Sequence, residues 1–84
     1  MLASAPAGNP LALVLDLTGL QQLPKYKLEI VDAAGRPVFQ SNGAPRNNQL
    51  QAALAKGLTA GAYFVRVYAL TGELLREYAL TVRG

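Results

Sequence analysis

The stretch YKLEIVDAAGRPVFQS, Tyr26 to Ser41, decides the fold. Its first half alternates without a fault: Tyr26, Leu28 and Ile30 fall on one side of an extended chain, and Lys25 before them, Lys27 and Glu29 fall on the other. A period of two with one apolar and one charged side is the pattern of a strand that is buried on one face and wet on the other. Asp32-Ala33-Ala34-Gly35 follows. Asp suits the first position of a type I turn, and Gly35 can take the left-handed conformation of a bulge. The chain then returns over Arg36 to Ser41 as an antiparallel partner. Pro37 has no N–H for a ladder bond, which places the return at a sheet edge or at a strand start.

The same alternation recurs on both sides of this hairpin. In LALVLDL, Leu11, Leu13, Leu15 and Leu17 share one face, and Thr18-Gly19 ends the run. AYFVRVYA, Ala62 to Ala69, is rich in aromatic and β-branched residues. A turn at Leu70-Thr71-Gly72-Glu73 leads to a last strand, Leu74 to Val82, with Tyr78, Leu80 and Val82 on one side. DAAGRPV and ALTGELL read as similar hairpin tips. Ser41 to Asn48 is dense in turn formers. Gln49 to Leu58 is ambiguous, because Leu50, Ala52 and Leu54 alternate while the alanines favour a helix. A strand, or a strand ending in a short turn at Lys56-Gly57, is preferred, since isolated helices shorter than ~12 residues are marginal. Six or seven short strands at near-regular spacing predict an all-β sandwich or small barrel. The expected core is Leu13, Leu15, Leu28, Ile30, Val65, Val67, Leu80 and Val82.

Residues 1–10, MLASAPAGNP, read as a flexible tail or linker, with neither the basic start nor the long apolar run of a secretory signal. Residues 11–84 read as a single β-sandwich domain. No apolar run approaches the ~20 residues of a membrane span, so no membrane insertion by this segment is expected. The 84 residues include no cysteine, so packing alone must stabilise a chain that buries only roughly 60–65% of its unfolded surface.

Chemistry is sparse. With no histidine and no cysteine, nucleophile–histidine sites are excluded and the commonest zinc ligands are missing. The five carboxylates, Asp16, Glu29, Asp32, Glu73 and Glu77, read as solvated faces and turn formers rather than a facing catalytic pair. No glycine pattern fits a phosphate loop. The expectation is no enzyme, no cofactor and no metal. The net charge of +3 is spread along the chain, which weighs against nucleic acid. One cluster stands out on the second face of Ala62–Ala69: Phe64, Arg66 and Tyr68, two aromatics around a cation. It is the candidate interaction surface. Its alternatives are a small barrel binding single-stranded nucleic acid through these three residues, or two aromatics that complete the core while Arg66 reaches outward.

The order of these features resembles two kinds of bacterial β-sandwich. The residues that carry the resemblance are YKLEIVDAAGRPVFQS, LTAGAYFVRVY and EYALTV, within a likeness that runs from Leu11 to Val82. The pattern looks like the immunoglobulin-like sandwich at the C-termini of membrane-anchored regulators, including zinc-finger anti-sigma-type proteins. It is also similar to the C-terminal sorting domains of type IX secretion cargo, where the DAAGR-PV hairpin and the L-x-x-G-x-Y-F-V-R-V strand recur. Phe39 stands where the first family often carries Trp, and TVRG stands where sorting domains usually close on a basic tail.

The first resemblance implies an immunoglobulin-like antiparallel sandwich. It would serve as a non-catalytic accessory or protein-interaction module of a larger bacterial protein, in an extracytoplasmic location, periplasmic or secreted. Its partner would be another protein or the rest of the parent chain. The second resemblance implies a C-terminal secretion-sorting domain. An open sandwich also has edge strands, and a homodimer by edge pairing is a further expectation, with the first or last strand the favoured edge.

Overall fold

The computed structural model describes residues 2–55 and 57–83, the first strand by its backbone alone. Met1, Gly84 and Lys56, the last of which shares the expected Lys56-Gly57 turn, lie outside the described residues. Seven strands follow one another: β1 (Leu2–Pro6), β2 (Leu11–Asp16), β3 (Tyr26–Asp32), β4 (Pro37–Gly43), β5 (Gln49–Leu54), β6 (Gly61–Ala69) and β7 (Leu74–Arg83). No helix occurs among the described residues. Gln49–Leu54 is a strand, and Leu50 and Leu54 are buried. Their burial against the core outweighs the helical preference of the alanines between them.

The strands form a five-stranded sheet in the order β1-β7-β6-β3-β4 and a two-stranded sheet, β2-β5. The two pack face to face as a small all-β sandwich. Both inner faces are the apolar faces that alternation defines. Tyr26, Leu28 and Ile30 of β3, Tyr63, Val65 and Val67 of β6, and Tyr78, Leu80 and Val82 of β7 meet Leu13, Leu15, Leu17, Leu50 and Leu54. All eight residues expected in the core are there. Phe39 is partly buried against the same cluster.

Residues 1–10 differ from the reading as a tail. Leu2–Pro6 runs parallel to β7, with Leu2 beside Ala79 and Pro6 beside Arg83. A strand added through its main chain needs no alternation of side chains, so LASAP carries no signal of it. All other strand pairs are antiparallel.

The two hairpin tips share one geometry. Asp32 N–H donates to Arg36 C=O and Gly35 N–H to Asp32 C=O; likewise Ala69 N–H donates to Glu73 C=O and Gly72 N–H to Ala69 C=O. Gly35 and Gly72 both take positive φ, 85° and 101°. The irregular stretch after β4 ends in a tighter device. Asn47 and Asn48 both lie in the left-handed region, at φ 50° and 61°, and the backbones of Arg46 and Gln49 bond each other in both directions. That is a two-residue turn with positive φ at both central positions, a conformation asparagine tolerates.

Three buried tyrosines pin loops at the rim of the core. Tyr26 donates its hydroxyl to Gln21 C=O and accepts from Leu23 N–H at 3.1 Å. Tyr63 donates to Thr59 C=O at 2.8 Å. Tyr78 donates to Asp16 C=O at 2.7 Å and so ties the two sheets together. No buried side-chain polar atom among the described residues lacks a partner.

Candidate functional site

β6 carries Phe64, Arg66 and Tyr68 on its outward side, alternating with the core residues Tyr63, Val65 and Val67. The two-stranded sheet covers the opposite face of the large sheet, so neither aromatic belongs to the core cluster. Both are half-buried by their neighbours on the same face. Phe64 stands beside Val31 of β3 and Ala79 of β7. Val31 is only 1% exposed yet lies outside the inner core, so Phe64 and Val31 form a small apolar cluster of their own on the outward face.

Next to it runs a polar row. Register aligns Gln40, Glu29, Arg66 and Glu77 across β4, β3, β6 and β7. Gln40 Nε2 donates to Glu29 Oε2 at 2.8 Å, and Arg66 Nε donates to Glu77 Oε2 at 2.7 Å. Tyr68 donates its hydroxyl to the other Glu29 oxygen at 3.1 Å, and Lys27 Nζ lies 5.9 Å from the Tyr68 ring centroid. Hydrogen bonding to Glu77 first, then Tyr68, raises the Arg66 pKa and holds the guanidinium in its charged form. Arg66 thus sits between two carboxylates of its own row. A platform for a phosphate backbone needs cations turned outward and free of such partners.

The remaining acids are structural. Asp32 Oδ1 accepts from Ala34 N–H and Arg36 N–H, each at 2.9 Å, and these bonds, the one from Arg36 foremost, lower its pKa. Asp16 Oδ1 accepts from the Thr18 hydroxyl at 2.6 Å and from Thr18 N–H at 2.9 Å, with the same effect. No group of three or more metal-binding side chains occurs among the described residues. A shallow depression between the β3–β4 tip and Thr59–Tyr63 contains Asp32 and Arg36, which are already committed to the turn. The sequence singles out Phe64, Arg66 and Tyr68 but not Glu29, Gln40 and Glu77, because cross-strand register, not spacing along the chain, brings those three beside them.

The fold and this face define a small β-sandwich whose distinctive chemistry lies on a sheet surface rather than in a cleft. The chain matches the family described as the secretion system C-terminal sorting domain over residues 5–78, and it belongs to that family. Of the two resemblances, the match supports the second. The family's role is sorting for secretion rather than catalysis, and its members are parts of larger chains. No curated protein matches the chain.

Proposed function

We propose that this domain is the sorting signal of a longer, secreted bacterial protein, of the type IX class, and that the export machinery recognises it as a folded body. The observation that carries this reading is the family match over residues 5–78. The location that follows is extracytoplasmic. The interaction-module reading survives inside it: the partner surface is the outward face of the five-stranded sheet around Phe64, Arg66 and Tyr68. The support is that two aromatics and a paired cation are half-exposed there, and Leu74, the neighbour of Tyr68 in register, is 48% exposed. Aromatic and arginine side chains that offer both apolar area and hydrogen bonds are the usual anchors of protein interfaces. An immunoglobulin-like arrangement of the strands is compatible with the sandwich and adds nothing to this role.

The test is export of a reporter. A folded reporter fused ahead of the full 84-residue chain, expressed in a bacterium with a type IX system, is expected in the medium or on the cell surface. The same reporter without the domain stays in the cell. Equal retention of both proteins overturns the sorting reading.

A further inference from the structure

We propose that the free edge of β2 is a self-association site, at which a second copy of this chain adds its own β2 in antiparallel register about a two-fold axis through Leu13. This inference is independent of the sorting reading.

The edge is defined by hydrogen bonds. Leu17 N–H donates to Asn48 C=O at 2.9 Å, continuing the register in which Leu15 faces Leu50 and Leu13 faces Ala52. Bonding alternates along an antiparallel strand. The odd-numbered residues of β2 therefore turn their backbone groups to β5, and Ala12, Val14 and Asp16 turn theirs the other way. The Asp16 carbonyl confirms this direction, since Tyr78 and Arg76 donate to it from the large sheet at 2.7 and 3.1 Å. Those contacts take the carbonyl at Asp16 and leave its N–H. Pro10, with no N–H, offers only its carbonyl at the other end. Between them Ala12 and Val14 each keep both N–H and C=O open, a window of four groups. β2 pairs with no strand but β5 among the described residues.

Self-pairing about Leu13 fits that window. Ala12 faces Val14 of the second copy and Val14 faces its Ala12, which gives four backbone bonds. Asp16 falls opposite Pro10, where only one of the two ladder bonds can form, Asp16 N–H to Pro10 C=O, because Pro10 has no N–H and the Asp16 carbonyl is already taken, so the pairing weakens at both ends. The small sheet becomes four-stranded, β5-β2-β2-β5. On its outer face Ala53, Ala12, Val14 and Gln51 then run across the two chains in one continuous row, covering the Val14 side chain that is 57% exposed in the single chain.

Charge points the same way. Proteins guard exposed edges with charges, prolines and bulges. The β4 edge has Pro37 and a register shift beside it, and the Arg46–Gln49 bridge caps the start of β5, which also packs near β4. No residue from Ala7 to Leu15 or from Asn47 to Ala55 is charged, and Asp16, the single charge of β2 and β5, is bound to Thr18. A second copy brings no like charge against this strip. The first strand in order of the expected sandwich, LALVLDL, is thus the edge that a homodimer would use.

Sedimentation equilibrium of the full chain from about 10 μM to about 1 mM, the range suited to so small an interface, is expected to show average mass rising from monomer toward dimer. Val14→Lys, at an exposed position, should hold the monomer mass throughout with an unchanged unfolding midpoint. The register is read by cross-linking, since the chain has no cysteine of its own. A mixture of Ala12→Cys and Val14→Cys chains should form disulfide heterodimers several-fold faster than either variant alone. A constant monomer mass for the natural sequence, association undiminished in Val14→Lys, or faster cross-linking of Val14→Cys alone than of the mixture would each overturn the proposal.

Discussion

The five-stranded sheet carries charges on its outward face and closes them against one another, whereas the two-stranded sheet carries one charged side chain and is fastened from outside. In the large sheet Gln40, Glu29, Arg66 and Glu77 form a row across four neighbouring strands, beside the Phe64–Val31 cluster. The small sheet has two strands, too few to stand alone in water. It is held by its leucines in the core, by Tyr78 and Arg76 on the backbone of Asp16 and Thr18, and by the approach of Asn9 to Gly57. The large sheet owes its form to repeated pairing. The small sheet owes its position to a few anchors, and those anchors are where it can be loosened.

The largest effect is expected in the shared core. Val65 is 2% exposed at the centre of β6. Val65→Asp buries an unpaired carboxylate in a domain with only about 5–15 kcal/mol of total stability, and both sheets should be lost together. Circular dichroism should show no cooperative unfolding transition. A folded, cooperative variant would show that Val65 does not face the shared core.

Gly57→Ala should come next and act through the small sheet. Gly57 has φ 67°, and the Asn9 backbone occupies the place its Cβ would take. The conformational strain alone costs about 1–2 kcal/mol, and the overlap with Asn9 adds to it. Gly72→Ala is the control. Its φ of 101° imposes a comparable strain, but no atom lies within 4 Å of the added carbon. Chemical denaturation should therefore find Gly57→Ala clearly the less stable of the two.

Tyr78→Phe removes one anchor and leaves the core volume intact. The lost bond to Asp16 should cost about 1 kcal/mol. Hydrogen exchange should rise in β2 and β5 more than in β3 and β6. A uniform rise would mean that the small sheet has no separate fastening.

Acid acts more gently. Asp16 and Asp32 both have pKa values lowered below the ordinary 3.8, through bonds from Thr18 and from Arg36 and Ala34. Folding therefore favours their ionised forms. That stabilisation is complete above 3.8 and drains away as pH falls through the lowered values of the folded state. The unfolding midpoint should be insensitive to these two groups from neutral pH down to 3.8 and should decline below it. Asp32→Asn should make that decline shallower.

Much of this contrast is legible in the sequence. Strict alternation in Leu11–Leu17, Tyr26–Ile30 and Tyr78–Val82 places the core, because one residue in two must face inward. A glycine three residues after the end of the strand places both hairpin tips, since Gly35 and Gly72 supply the positive φ that the turn needs. Three things were not legible. β1 joins through main-chain bonds that leave no side-chain pattern. The Tyr26, Tyr63 and Tyr78 hydroxyls find loop carbonyls that only the folded chain brings near. The surroundings of Arg66 depend on Glu29 and Glu77, and only register across three strands makes them neighbours.

The most direct test of the account is reporter export compared between the two sheets. The triple variant Phe64→Ser, Arg66→Ser, Tyr68→Ser alters the outward face of the large sheet, and Val14→Lys alters the small one. Folding of each variant is checked first by its cooperative unfolding transition. The folded triple variant is expected to leave the reporter in the cell, while Val14→Lys exports it as the natural sequence does. Undiminished export by the triple variant would contradict the assignment of the recognised surface to the large sheet.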